Sequence, residues 1–148
     1  MPLEGEYEPN TTQWVREQVE VYKSSGGTRG TTLWDTGRPV VVMSTRGAKT
    51  GKIRKVPVVR VEHEGRYAVV GLLGGSSRQP LWYFNVKADP HAELQDGPVQ
   101  RDMTAHEATG QERAEWWRRA VAVFLRYAEM QKKTSREFPV FVLEPVVG

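Results

Sequence analysis

The chain has no cysteine. A disulfide framework, a thiolate metal site and a cysteine nucleophile are therefore excluded. Small secreted domains commonly need such staples, so the absence favours a cytoplasmic location. Long apolar runs are missing as well. The longest, Pro39 to Met43, is far short of the ~20 residues that cross a bilayer. Met1 to Glu8 is polar and acidic, with neither the basic nor the apolar region of a signal peptide, and no feature indicates membrane association. The histidines His63, His91 and His106 are scattered and follow no metal-ligand spacing, so no metal is expected. No nucleophile elbow or paired-carboxylate signature is present. A formal net charge of +3 is too weak a field to argue for a nucleic-acid partner.

What is present reads as one domain. Two domains in 148 residues would each be near the size at which a core becomes marginal. Residues 1–9 are expected to form a flexible arm and residues 10–148 the domain. Asn10-Thr11-Thr12 signals a helix start before the apolar positions Trp14, Val15, Val19 and Tyr22, and Gly26-Gly27 ends it. Strands are expected at 39–43, 56–61, 66–73, 93–94, 99–106 and 138–143. Pro80 to Ala88 reads as a short helix. Thr109 with Glu112 reads as a capping box opening a long helix that carries Trp116, Trp117, Ala120, Val121, Phe124 and Leu125 on its apolar side. Tight turns between strands argue for antiparallel pairing. The predicted fold class is α+β, a split β-barrel of about six mainly antiparallel strands with peripheral helices.

The segment Arg46-Gly47-Ala48-Lys49-Thr50-Gly51-Lys52-Ile53-Arg54-Lys55 joins the first two strands. From Arg46 to Arg60 it holds six cations (Arg46, Lys49, Lys52, Arg54, Lys55 and Arg60) and no acid. Glycines that free backbone N–H groups, with a threonine hydroxyl, complete an anion cradle. It is not a Walker A loop, because Arg46 stands at the first glycine position and Ile53 at the magnesium-binding hydroxyl position. On composition alone a solvated hairpin turn has equal weight. A second segment, Gly71 to Asn85, ends a strand in Gly74-Gly75 and opens a helix carrying Trp82 and Asn85 on one face. An aromatic face beside an anion cradle suits a large flat anionic ligand, while core packing is the simpler reading of Trp82, Tyr83 and Phe84. Tyr127, near Phe124 and Met130, is either a core residue or a phenol facing a pocket.

These segments, with Pro57, Glu112-Arg113-Ala114-Glu115-Trp116-Trp117 and Phe138-Pro139-Val140-Phe141-Val142-Leu143-Glu144-Pro145, resemble the deazaflavin-dependent nitroreductase family of actinobacteria, which uses reduced coenzyme F420. The likeness covers nearly the whole chain. It implies a split barrel like that of flavin reductases. Lys49, Thr50 and Arg54 would then be the main contacts to the cofactor's phosphate and polyglutamate tail, with Ala48, Lys52 and Pro57 lining the cradle. Gly71, Leu72, Leu73, Gly74 and Gly75, followed by Leu81, Trp82 and Asn85, would hold the deazaflavin ring. Tyr127 matches a family tyrosine beside ring and substrate, as proton donor or substrate orienter. Leu72 and Leu73 replace a Ser-Lys pair found in many relatives. Val59, Phe124 and Met130 stand where some relatives place tyrosines, which implies a greasier substrate pocket.

The expected activity is hydride transfer from reduced F420 to a small-molecule acceptor: an activated C=C, a quinone or a nitroaromatic. The alternatives are an FMN-dependent reductase on the same barrel and a non-catalytic F420 carrier. The sequence leaves the oligomeric state open.

Overall fold

The computed structural model describes residues 3–33, 36–71 and 80–146. In chain order these form α1 (Gln13–Ser24), β1 (Val40–Arg46), β2 (Ile53–Val59), β3 (Glu62–His63), β4 (Arg66–Val70), α2 (Leu81–Ala88), β5 (His91–Asp96), β6 (Val99–Glu107), α3 (Gly110–Val123), α4 (Arg126–Lys132) and β7 (Val140–Pro145). One antiparallel sheet holds the strands in the order β2-β1-β5-β6-β7-β4-β3.

Connectivity forces this sheet to curl. β2 lies at one edge and β3 at the other, yet only Arg60 and Val61 separate them in the chain. A flat sheet of seven strands would hold its edges roughly 28 Å apart, whereas three residue steps reach only about 10 Å. The two edges must approach each other at Arg60 and Val61, where the Arg60 N–H extends the β1–β2 ladder to the Pro39 carbonyl and the Val61 carbonyl extends the β3–β4 ladder by accepting from the Ala68 N–H, both at 2.9 Å. This is the expected split barrel.

Alternation along the strands sends apolar side chains to both faces. Val40, Val42, Val59, Val70, Val140 and Val142 pack with α1, α3 and α4 around Tyr22, Trp116, Phe124, Tyr127 and Phe138. Val41, Met43, Val69, Leu94, Met103, Phe141 and Leu143 pack on the other face with Trp82 and Val86 of α2.

Four expectations need correction. There are seven strands among the described residues, because Glu62–His63, outside every expected strand, pairs with Arg66–Tyr67 as β3. The long helix is two helices. Phe124 takes extended backbone (φ −140°, ψ 92°) at the end of α3, and α4 starts at Arg126. No proline or glycine marks that break, so packing overrides helix propensity there. The capping box does not form: Thr109 makes no side-chain cap bond, and Glu112 instead reaches His106 at 3.0 Å. The N-terminal arm is not loose where it passes β2. The Ile53 N–H donates to the Glu6 carbonyl (2.7 Å) and the Glu8 N–H to the Ile53 carbonyl (2.9 Å). These bonds cover part of an otherwise open sheet edge.

Candidate functional site

The register places the C-terminal ends of β1, β4 and β6 beside the N-terminal ends of β2, β5 and β7. One end of the sheet therefore collects the β1–β2 turn, Gly71 and the start of β7. α2 runs from the β4 side of this end to β5 and packs against β1.

The turn is held by its own backbone. The Gly47 N–H donates to the Lys52 carbonyl (2.7 Å), and the Gly51 N–H to the Gly47 carbonyl (2.9 Å). The Lys52 N–H donates to the Thr50 hydroxyl at 3.1 Å. Gly51 has φ +73°, a left-handed conformation that glycine adopts without penalty. The Ala48 N–H donates to Asn85 Oδ1 at 3.0 Å. Among the described residues the amides of Lys49 and Thr50 have no acceptor, and both residues are exposed. Two free consecutive N–H groups on an exposed turn that also carries an ammonium are donors suited to an anion.

The cations are less free than the sequence suggests, because distant acids fold onto them. Arg54 Nη1 pairs with Glu8 at 2.5 Å. Lys52 faces Glu6 at 4.0 Å, and Arg46 Nε faces Asp89 at 3.4 Å. Lys55 stacks over the Tyr7 ring at 5.5 Å. Arg60 sits at the other end of β2, with Nε bonded to both Asp96 oxygens at 2.9 and 3.0 Å. Lys49 has no ion-pair partner among the described residues. Glu6, Glu8 and Asp89 were missed as site neighbours. The alternation Glu4, Glu6, Glu8 was the available signal, since a period of two suits a strand.

The other site residues lie in several places. Pro57 is buried opposite Val42, four pairs from the turn, roughly 13 Å along the strand. Leu81 is exposed on α2 at 67%. Trp82 is buried and meets Phe141 edge-on at 5.6 Å, so it supports α2 from behind. Both backbone groups of Gly71 are engaged: its N–H donates to the Pro139 carbonyl at 2.7 Å, and its carbonyl accepts from Arg136 Nη1 at 3.2 Å. Leu72, Leu73, Gly74 and Gly75 lie outside the described residues. Val59, Phe124 and Tyr127 share one apolar cluster, with Met130 against it. The Tyr127 ring meets Phe124 edge-on at 5.1 Å, and burial pushes its phenol above the ordinary tyrosine range. Trp82 belongs to the cluster on the opposite face.

The family model described as F420H(2)-dependent quinone reductase matches residues 14–145. The chain belongs to that family. It is 31% identical over 134 residues to the F420H(2)-dependent quinone reductase Rv1261c of Mycobacterium tuberculosis H37Rv, covering 88% of this chain and 89% of that one. Among solved structures it resembles an F420-H2 dependent reductase, FDR-A, with 51% identity and TM-score 0.69 over 72% of this chain and 95% of that chain. A structure described as a domain-swapped dimer matches at 48% identity and TM-score 0.71, over 91% of this chain and all of that chain. As a member of an F420H(2)-dependent quinone reductase family the chain is an oxidoreductase, and F420 is the family's cofactor. No described helix is long and apolar enough to cross a membrane, and no described cluster of His, Cys, Asp and Glu has the makings of a metal site.

Proposed function

We propose that this chain reduces small quinone-type acceptors with F420H(2), and that the β1–β2 turn holds the cofactor's phosphate. Activated enones and nitroaromatics are acceptors of the same electron-poor class, and the site of action is the cytoplasm. The observation that carries the reading is the exposed pair of amides at Lys49 and Thr50, free among the described residues, beside an ammonium that has no ion partner among them. That donor set fits a phosphate.

Lys49, Thr50 and Arg54 would bind the anionic end, with Ala48, Lys52 and Pro57 shaping the cradle. Leu81 offers an apolar surface at the start of α2, backed by Trp82. Gly71 to Gly75 would complete the ring contacts. Reduced F420 supplies a hydride when bound. The chain's task is to bind, orient and exclude water. Phe124 and Met130 would provide apolar walls for the acceptor, whereas Val59 pairs with Val40 at the far end of β2 from the turn and falls outside that site. Tyr127 would present a neutral phenol to the oxygen that gains negative charge, as hydrogen-bond donor or proton source. Its raised pKa keeps that phenol protonated throughout the physiological range.

Fluorescence titration with F420, then anaerobic reoxidation of F420H(2) by a naphthoquinone followed by absorbance, tests the proposal. Saturable binding with quinone-dependent reoxidation is expected. Tight binding without turnover across quinones, enones and nitroaromatics would instead make the protein a carrier.

A further inference from the structure

Asn85 is buried at 6% exposure, on the α2 face that packs against β1. Its Nδ2 donates to Thr45 Oγ1 at 3.1 Å, and its Oδ1 accepts the Ala48 N–H at 3.0 Å. Thr45 itself is 1% exposed, so no ligand reaches it. Both ends of one planar amide are thus committed to the chain, one on β1 and one on the turn that follows β1.

We infer that Asn85 is a positioning residue for the anion-binding turn, acting through Thr45 and the Ala48 amide instead of touching the deazaflavin ring. The inference rests on the proposed role of the β1–β2 turn. Ala48 immediately precedes the two residues whose N–H groups are free. Tying its N–H inward fixes the peptide that leads into Lys49 and Thr50, so their amides point outward before an anion arrives. A turn ordered in advance loses less conformational freedom on binding. Asparagine suits this task because a single rigid group carries a donor and an acceptor. Aspartate supplies only acceptors when ionised and would add a negative charge beside an anion site. Leucine has nearly the same shape and neither polar function.

The test uses the cofactor-free protein and two probes: inorganic pyrophosphate, and a phosphate-free deazaflavin riboside. Asn85→Leu and Thr45→Val are compared with wild type by calorimetry and by amide hydrogen exchange. Both variants are expected to bind pyrophosphate about five- to twentyfold more weakly, the scale of losing turn preorganisation. Their riboside affinity stays within about twofold, and Ala48 N–H exchange accelerates. Thr45→Val carries the test if Asn85→Leu fails to fold, because it removes a buried partner that meets no ligand. Unchanged pyrophosphate affinity in Thr45→Val overturns the inference. So does a loss confined to the riboside in Asn85→Leu, which would make Asn85 a ring contact. Failure of the wild type to bind pyrophosphate overturns the reading of the turn and this inference with it.

Discussion

Tyr127 shows how burial sets a residue's chemistry. Its phenol is packed among Trp117, Phe124 and neighbouring apolar residues, and desolvation alone raises its pKa. Among the described residues its hydroxyl has no hydrogen-bond partner. Tyr127→Phe therefore removes no bond that stabilises the fold. The melting temperature should be nearly unchanged, since no satisfied group is lost. If the hydroxyl serves the acceptor, kcat/KM on quinones falls about tenfold, the low end of acid–base assistance because water also donates. The ratio to wild type should stay constant from pH 6 to 9, because the phenol does not ionise there. Steady-state kinetics beside thermal melts decides it: full activity returns Tyr127 to the core. The sequence reveals that this residue is apolar-faced but not which neighbours it meets. Trp82 illustrates the same limit, since helical spacing marks its face as special while only the fold shows that it is backed by Phe141.

At the scale of elements, the β1–β2 hairpin was legible because glycines and cations interrupt two β-branched runs. The docking of residues 6–8 onto β2 was not, because a polar arm has no hydrophobic pattern to fix its place. That docking changes what the cradle's cations do. Lys49 has no ion partner among the described residues, so Lys49→Ala should weaken F420 binding by roughly 1.5–3 kcal/mol and leave stability alone. Arg54 is paired with Glu8, so an anion bound at the proposed cradle would have to share it. Arg54→Ala should therefore weaken binding and also lower the melting temperature slightly, as expected for a half-exposed ion pair. Glu8→Gln keeps the arm's backbone bonds but frees the guanidinium, so it should tighten F420 binding about two- to fivefold, an effect that salt reduces. Fluorescence titration of the three variants at low and high salt checks the set. Unaltered affinity in both Lys49→Ala and Arg54→Ala would remove the phosphate from this turn. The break between α3 and α4 was also hidden, since the apolar spacing continues through Phe124 and no breaker residue marks it.

Over the whole molecule, short turns predicted antiparallel pairing, and the chain's step from one sheet edge to the other curls the sheet into a split barrel. What sequence periodicity does not carry is which of the two apolar clusters a buried residue joins. A second molecule-wide property emerges only from the fold. Tyr7 on the arm, Tyr22 on α1, Tyr67 on β4 and Tyr127 on α4 all have raised pKa values, with burial the largest cause in each. Tyr67 is pushed up to about 12, with its hydroxyl also donating to Asp96. Well below pH 10 these groups are protonated in both the folded and the unfolded chain, so they confer no pH dependence there. Above pH 10 the unfolded chain releases protons that the folded chain retains. It then binds fewer protons than the native state, and stability falls as pH rises. Lys23 acts in the opposite sense, because burial lowers its pKa, but it stands against the four tyrosines and Lys87, whose pKa is raised by its bond to Glu107. Melting temperature should therefore hold steady from pH 7 to about 9.5 and fall progressively from pH 10 towards 12. Tyr67→Phe should start lower, through loss of the Asp96 bond, and decline less steeply. Parallel melts of wild type and Tyr67→Phe between pH 8 and 11.5 measure both effects. Equal slopes in the two proteins would show that the Tyr67 phenol ionises as freely in the fold as in water.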